Sequence, residues 1–367
     1  MNINDIVKRP EIENMTRKEF IGGAAAFAAA GALCADGAEE SPLLAKTKKW
    51  FREAQFGMMA HWGLYTLAGG EWNGKPGRRA YAEWLQWGER IPMKDYAALA
   101  KAFNPVLFNP REWMKYARDA GMKYFVITSK HHDGFALFRS RVSKYNVVDA
   151  TPFGRDVIEE VAEACRDTGV RLGLYYSQDL DWSEPDGGGK KNEAGLKNWG
   201  DEDWRNTWDW PADRDYDFSR YFERKCKPQV KEILTQYGDL CLIWFDVPST
   251  ILPAQCQELK DMVRACQPGC LINGRLGYGL GDYDTPGDNC IAEKTDADKL
   301  YETVGTMNDS WGYRPTDTHY KSVDEILAIK AKCASIGSNY MLNIGPDPLG
   351  RIPAAGISIL EGLAAKA

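Results

Sequence analysis

The sequence predicts an α/β fold whose parallel strands close into a barrel. From about Lys48 onward, short apolar runs alternate with amphipathic segments, and that order of strand, helix and strand builds parallel sheets. The number of repeats within 367 residues suits a closed barrel better than an open doubly wound sheet. No GxGxxG follows a strand and no GxxxxGK(S/T) occurs, so the usual signs of an open nucleotide-binding sheet are missing.

The strands read as Gly57–Trp62, Tyr124–Ser129, Val170–Ser177, Leu240–Val247, Cys270–Gly274 and Asn339–Ile344. Each is a near-continuous apolar run, as expected of strands buried on both faces. Between them, Tyr96, Leu99, Ala100 and Phe103 follow helical spacing, as do Ile158, Val161, Ala162 and Cys165, with a stop at Gly169. A long helix is expected from Asp217 to Tyr237. Another starts with Ser322 and Glu325 in capping-box positions, turns Ile326, Ile329, Cys333 and Ile336 inward, and ends at Gly337. Ser183 to Pro211 is poor in aliphatic residues and reads as a long loop, and a final helix runs from about Pro353. The barrel domain is expected to cover residues 47–367, after a linker at 36–46.

Arg17 and Lys18 precede an Ala- and Gly-rich run from Phe20 to Leu33, followed by Cys34-Ala35-Asp36. Positive charge, a short apolar stretch and small residues have the form of a signal peptide over residues 1–35, so export to the periplasm or the extracellular space is expected. No later segment is long and apolar enough to span a bilayer. The formal net charge is -6 with no basic run, which argues against nucleic acid or an anionic membrane as the main partner, and no stable membrane insertion is expected. The 9 cysteines match no zinc spacing and no small disulfide scaffold; Cys165 and Cys333 read as core thiols.

In a barrel, catalytic groups gather at the C-terminal ends of strands. His61 closes the first predicted strand, His131-His132-Asp133-Gly134 the second, Tyr175-Tyr176-Ser177 the third, Asp246 the fourth, and Asn273 and Arg275 the fifth. The chain has 4 histidines, and three of them sit at this rim, which points to a polar pocket. A metal competes as an explanation, but adjacent His131 and His132 would point to opposite faces of a strand. Neutral imidazoles suit sugar hydroxyls, since each offers one donor and one acceptor. Asp246 directly follows a buried apolar run, a costly place for a carboxylate without a partner or a task.

The segments Phe56–Gly63, Ala82-Glu83-Trp84, Thr128–Phe135, Leu174–Ser177 with Asp181-Trp182, Trp244-Phe245-Asp246, Asn273-Gly274-Arg275, Asn308–Tyr313 and Asn339–Pro346 resemble glycoside hydrolase family 29, the α-L-fucosidases. The resemblance runs from about Lys48 to Pro353. It implies a somewhat irregular (β/α)8-like TIM barrel and a retaining exo-α-L-fucosidase that acts by double displacement on a fucosylated glycan or glycoconjugate. No cofactor and no metal are expected, and a homo-oligomer is left open. Asp246 matches the nucleophile, and the fucose pocket is implied to be His61, Glu83, Trp84, His131, His132, Tyr175, Trp244 and Arg275, with Tyr176 as the alternative to Tyr175. The acid/base departs from the family pattern: Thr285-Pro286 is followed by Gly287-Asp288, and the Trp-Glu pair of relatives is Tyr301-Glu302 here. Glu302 is ranked first, Asp288 second and Glu293 third. The family often adds a C-terminal β-sandwich, and none is expected in this sequence. Two other readings stay open: a catalytically inactive fucose-binding barrel, and an exo-glycosidase for a related L-galacto or 6-deoxy sugar.

Overall fold

The computed structural model describes residues 40–192, 202–293 and 295–367. The expected signal peptide lies outside the described residues. The first helix, α1 (Pro42–Ala54), begins within the stretch expected to be a linker, because the Ser41 side chain accepts the Leu44 N–H and Pro42 pre-sets the first turn. After it come β1 (Phe56–Ala60), α2 (Pro110–Asp119), β2 (Tyr124–Lys130), α3 (Val157–Thr168) and β3 (Arg171–Tyr176). The chain continues through α4 (Lys227–Gln236), β4 (Leu242–Phe245), α5 (Pro253–Cys266) and β5 (Leu271–Ile272). It ends with β6 (Tyr301–Thr306), α6 (Val323–Ser335), β7 (Ser338–Ile344) and α7 (Ala354–Ala364). The long helix expected from Asp217 is present, but its first turns change from α to π at Phe222–Cys226, just ahead of Pro228, which has no N–H to give.

The seven strands form one parallel sheet in the order β5-β4-β3-β2-β1-β7-β6. Its two edges meet through Tyr283 and Asp284, which bridge Asn273 on one side and Tyr301 on the other. Asp282 N–H donates to Ile272 O, and Glu302 N–H donates to Asp284 O. These two residues stand where an eighth strand would run, so the sheet curls shut into an irregular (β/α)8-like barrel. The sequence reading omitted β6, because Tyr301-Glu302-Thr303-Val304-Gly305-Thr306 is not an apolar run. It also drew the fifth strand too long: the strand covers Leu271–Ile272, Asn273 makes a single bridge to Tyr283, and the chain turns into a short helix at Gly274–Leu276.

Alternation along the strands separates two cores. Phe125, Ile127, Leu174, Ile243, Phe245 and Leu342 face the helices. Met59, Tyr124, Val126, Tyr175, Leu242, Trp244, Val304 and Met341 fill the barrel interior, and Leu44 and Phe51 of α1 pack against that cluster. Phe51 lies 4.8 Å from the Tyr283 ring and 5.7 Å from the Tyr124 ring, so α1 caps the end of the barrel where the strands begin. Cys165 and Cys333 are buried thiols in this framework. Among the described residues no helix is long and apolar enough to cross a membrane.

Gly57 pairs with Tyr124 in register, and a Cβ there would sit 2.4 Å from the tyrosine ring. The missing side chain leaves room for that ring inside the barrel. Gly57→Ala is therefore expected to lower stability by about 1–3 kcal/mol through overpacking, measurable as a lower denaturation midpoint. An unchanged midpoint would show that the ring has other room.

Candidate active site

At the C-terminal mouth the side chains converge on Asp246. The Phe245 backbone before it is pinned by Asn273, whose Oδ1 accepts the Phe245 N–H and whose Nδ2 donates to Phe245 O, both at 2.8 Å. The Asp246 N–H donates to Gln178 Oε1 at 2.8 Å. Its carboxylate is 7% exposed and well held: Tyr175 Oη donates to Oδ2 at 2.8 Å, and Arg275 Nη1 donates to Oδ1 at 2.8 Å. The Val247 N–H reaches Oδ1 at 3.0 Å, and His132 Nε2 lies 3.8 Å from Oδ2.

Arg275 spans two carboxylates. Its Nη2 donates to Asp288 Oδ1 at 2.6 Å while Nη1 holds Asp246. Its guanidinium lies 4.7 Å over the Trp244 ring, which in turn stacks on Tyr175 at 5.5 Å and 16°. Tyr175 and Tyr176 obey the two-residue period: Tyr175 faces the barrel and the nucleophile position, whereas Tyr176 Oη donates to Gln229 Oε1 on α4. Of the two, Tyr175 is the one whose hydroxyl reaches Asp246.

The histidines form one wall. Opposite faces are expected for His131 and His132, but the β2–β3 register shifts between Thr128 and Lys130 and the strand ends there. The chain turns, and the two rings lie 4.1 Å apart. Gly134 completes the turn at φ 77°, where a Cβ would meet Asp181 Oδ1 at 2.2 Å. His131 stacks on Tyr175 at 5.4 Å, and His61 lies 5.1 Å from the Trp311 ring. His61 Nδ1 pairs with Asn343 Oδ1 at 2.7 Å and His132 Nδ1 with Ser177 Oγ at 2.7 Å. Burial lowers the His61 pKa to about 4 and pushes His131 and His132 well below the usual histidine value, so all three imidazoles are neutral near pH 7.

Glu83 is buried with Oε2 accepting the Gly312 N–H at 2.9 Å, and burial raises its pKa to about 7. Glu83 Oε1 and His131 Nδ1 have no hydrogen-bond partner among the described residues. Trp84 packs 5.1 Å from His132 and heads an aromatic group with Trp182, Trp204 and Trp87.

The three acid/base candidates sit in different surroundings. Glu302 is fully buried inside the barrel, near the end where the strands start. Tyr124 Oη donates to its Oε2 at 2.6 Å and Trp244 Nε1 to its Oε1 at 2.9 Å, so Trp244 stands between it and the mouth. The sequence put Glu302 at a strand entry, but it did not show that its side chain turns inward. Glu293 is exposed. Asp288 alone of the three candidates shares the Arg275 fork with Asp246. The sequence reading missed Gln178, Ser177, Asn343 and Trp311 as residues of this cluster; Ser177, Asn343 and Trp311 lie within motifs it quoted and Gln178 directly follows one, yet which polar group orients which is a tertiary property.

Residues 37–365 match the family model for alpha-L-fucosidase. The chain belongs to the α-L-fucosidase family. It is similar to the unliganded α-L-fucosidase AlfC from Lactobacillus casei at 47% identity and a TM-score of 0.82, covering 88% of this chain and 98% of that one. The α-L-fucosidase from Vibrio sp. strain EJY3 matches at 34% identity and a TM-score of 0.81, over 88% of this chain and 55% of its own. Human tissue α-L-fucosidase is 30% identical over 334 residues, 83% of this chain and 64% of the human one. The chain spans 62–66% of the length of the first curated relatives it matches. Structures of variants of the L. casei enzyme hold 4-nitrophenyl α-L-fucopyranoside and Fucα(1,6)GlcNAc, and another holds α-L-fucose as product.

Glu302 makes stability pH-dependent in a definite direction. Burial raises its pKa from 4.5 to about 7, so its contribution is complete below pH 4.5 and is lost as pH rises through about 7. Glu83 acts in the same direction. Glu302→Gln keeps an acceptor for Trp244 and removes the titration. Its stability relative to wild type is expected to improve between pH 4.5 and 7, by an amount of order 1–3 kcal/mol. Parallel stability curves for the two proteins across that range would contradict the assignment.

Proposed function

We propose that this protein is a retaining exo-α-L-fucosidase, with Asp246 as nucleophile and Asp288 as acid/base. The observation that carries the reading is one guanidinium, Arg275, holding one oxygen of each carboxylate at the barrel mouth. Retaining glycosidases need two carboxyls close together on either side of the bond they break, and one planar fork ties Asp246 and Asp288 to its two terminal nitrogens. Asp246 attacks C1 while Asp288 protonates the departing glycosidic oxygen. Asp288 then takes a proton from water, which attacks C1 from the face the aglycone left. Two inversions return the α configuration.

The surroundings fit a small deoxy sugar. His131 Nδ1 and Glu83 Oε1 are buried polar atoms suited to sugar hydroxyls. Neutral imidazoles at His61, His131 and His132 accept as well as donate, and they add no positive charge beside an oxocarbenium-like transition state. Trp84, Trp244 and Trp311 supply apolar faces for the ring C–H groups and the C5 methyl. The L. casei complexes support the substrate class, terminal α-L-fucose on an aryl or N-acetylglucosamine aglycone. Export remains our proposal from the sequence leader.

An aryl α-L-fucoside should be hydrolysed with α-L-fucose as the first product by NMR, and Asp246→Ala should lose about 10³-fold or more in kcat. Azide separates the two carboxyls. With Asp288→Ala it should restore turnover and yield the α-L-fucosyl azide by attack on the intermediate. With Asp246→Ala it should yield the β azide by direct displacement. Rescue of Glu302→Ala instead of Asp288→Ala would move the acid/base assignment, and a first product in the β configuration would overturn the retaining mechanism.

A further inference from the structure

The ladder between β4 and β5 stops short of the mouth. Its paired residues end at Ile243 and Ile272, and the chain segments that carry Asp246 and Arg275 run on beyond them. Side chains take over the ladder's task. Asn273 grips Phe245 at its N–H and its carbonyl. One step further out stands Gln178, fully buried just after β3.

The Gln178 carboxamide binds two different chain segments. Its Oε1 accepts the Asp246 N–H at 2.8 Å, and its Nε2 donates to Arg275 O at 3.1 Å. An N–H only donates and a carbonyl only accepts, so the two partners fix which way the amide lies. The planar peptide unit between Phe245 and Asp246 is thus held at its oxygen by Asn273 and at its N–H by Gln178. Because that unit is rigid, the two bonds locate the Asp246 Cα. The same amide holds the peptide unit that follows the Arg275 Cα. Gln178 has a firm base: on either side of it, the Ser177 N–H donates to Lys130 O at 3.0 Å and the Gly188 N–H donates to Asp179 O at 2.8 Å.

We propose that Gln178 is a positioning residue. Its amide sets the spacing between the backbones of Asp246 and Arg275, and with it the aim of the nucleophile and the seat of the guanidinium that holds both carboxylates. This inference rests on Asp246 being that nucleophile. Gln178 acts through the two backbones it joins.

A carboxyl of the same shape provides the test. Protonated, the side chain of Gln178→Glu has one acceptor oxygen and one O–H, and it can replace both bonds. Ionised, it has acceptors only and confronts Arg275 O without a proton. The full chain is assayed on an aryl α-L-fucoside. The kcat of Gln178→Glu relative to wild type should be highest at the acid end and fall about tenfold or more between pH 5 and pH 8. A negative charge acting through its field alone would move the ratio the other way, because it raises the pKa of a neighbouring acid and favours positive charge on the sugar ring. Gln178→Met has similar length and neither hydrogen-bonding group. It should lose about one to two orders of magnitude in kcat at every pH, with a smaller change in KM. A Gln178→Glu ratio that is flat or rises with pH overturns the proposal, as does a Gln178→Met enzyme within about twofold of wild type. If circular dichroism shows one variant unfolded, the other decides. Independently of turnover, crystal structures of Gln178→Glu should show the Asp246 and Arg275 backbones further apart at pH 8 than at pH 5, and identical positions refute the clamp. An inactive wild type would sink the functional reading alone, since the crystallographic comparison still decides this inference.

Discussion

A single planar cation organises the mouth of this barrel. Arg275 must satisfy two carboxylates while lying flat on an indole, and each requirement fixes a different part of the fold. Asp246 comes from the end of β4, and Asp288 from the loop that follows the reduced eighth strand. Trp244 has to lie flat beneath the guanidinium, so its indole N–H points into the barrel and needs a buried acceptor, which Glu302 provides. The acidic residue deep in the interior is thus explained by the arginine at the surface. Removing Arg275 would leave two carboxylates face to face at the edge of a low-dielectric pocket, a repulsion worth several kcal/mol.

Much of this was legible in the sequence. Parallel strands buried on both faces are apolar throughout, so most of the wall was found from composition alone. Capping residues located α6, whose box of Ser322 and Glu325 forms as expected. The rim was found because His61, Asp246 and Arg275 interrupt apolar runs where a buried strand should end. What stayed hidden obeyed different physics. β6 is mixed because Glu302 accepts from Tyr124 and Trp244 inside the barrel, Thr303 pairs with Ser338 on the outer face and Gly305 abuts the Tyr340 ring, and Tyr283-Asp284 is too short to show any period. The direction of Glu302 depends on strand register, a tertiary property, and the same holds for the turn that brings His131 and His132 together.

Burial is used here to keep the pocket almost free of extra charge. The three imidazoles at the mouth are held neutral by desolvation, and Glu83 is pushed toward neutrality by the same cause. The charges beside Asp246 are those of Arg275 and Asp288, while Lys130 pairs with Asp181 at 2.9 Å near the histidines. A developing positive charge on a bound sugar ring would therefore meet chiefly the carboxylates, with neutral dipoles elsewhere, the kind of preorganised field that favours charge separation in a dry site.

The seam of the barrel has a consequence for change over time. β6 and β7 share six paired residues, whereas β4 and β5 share two and the Tyr283-Asp284 segment is joined by single bridges on either side. Residues 285–300, which carry Asp288, thus hang from the part of the wall with the fewest ladder bonds to lose. Insertions or deletions there leave the strand that bears Asp246 untouched. The two carboxylates that share Arg275 accordingly rest on foundations of unequal rigidity: Asp246 ends a strand paired on both sides, and Asp288 rides on a loop that can change length without moving that strand.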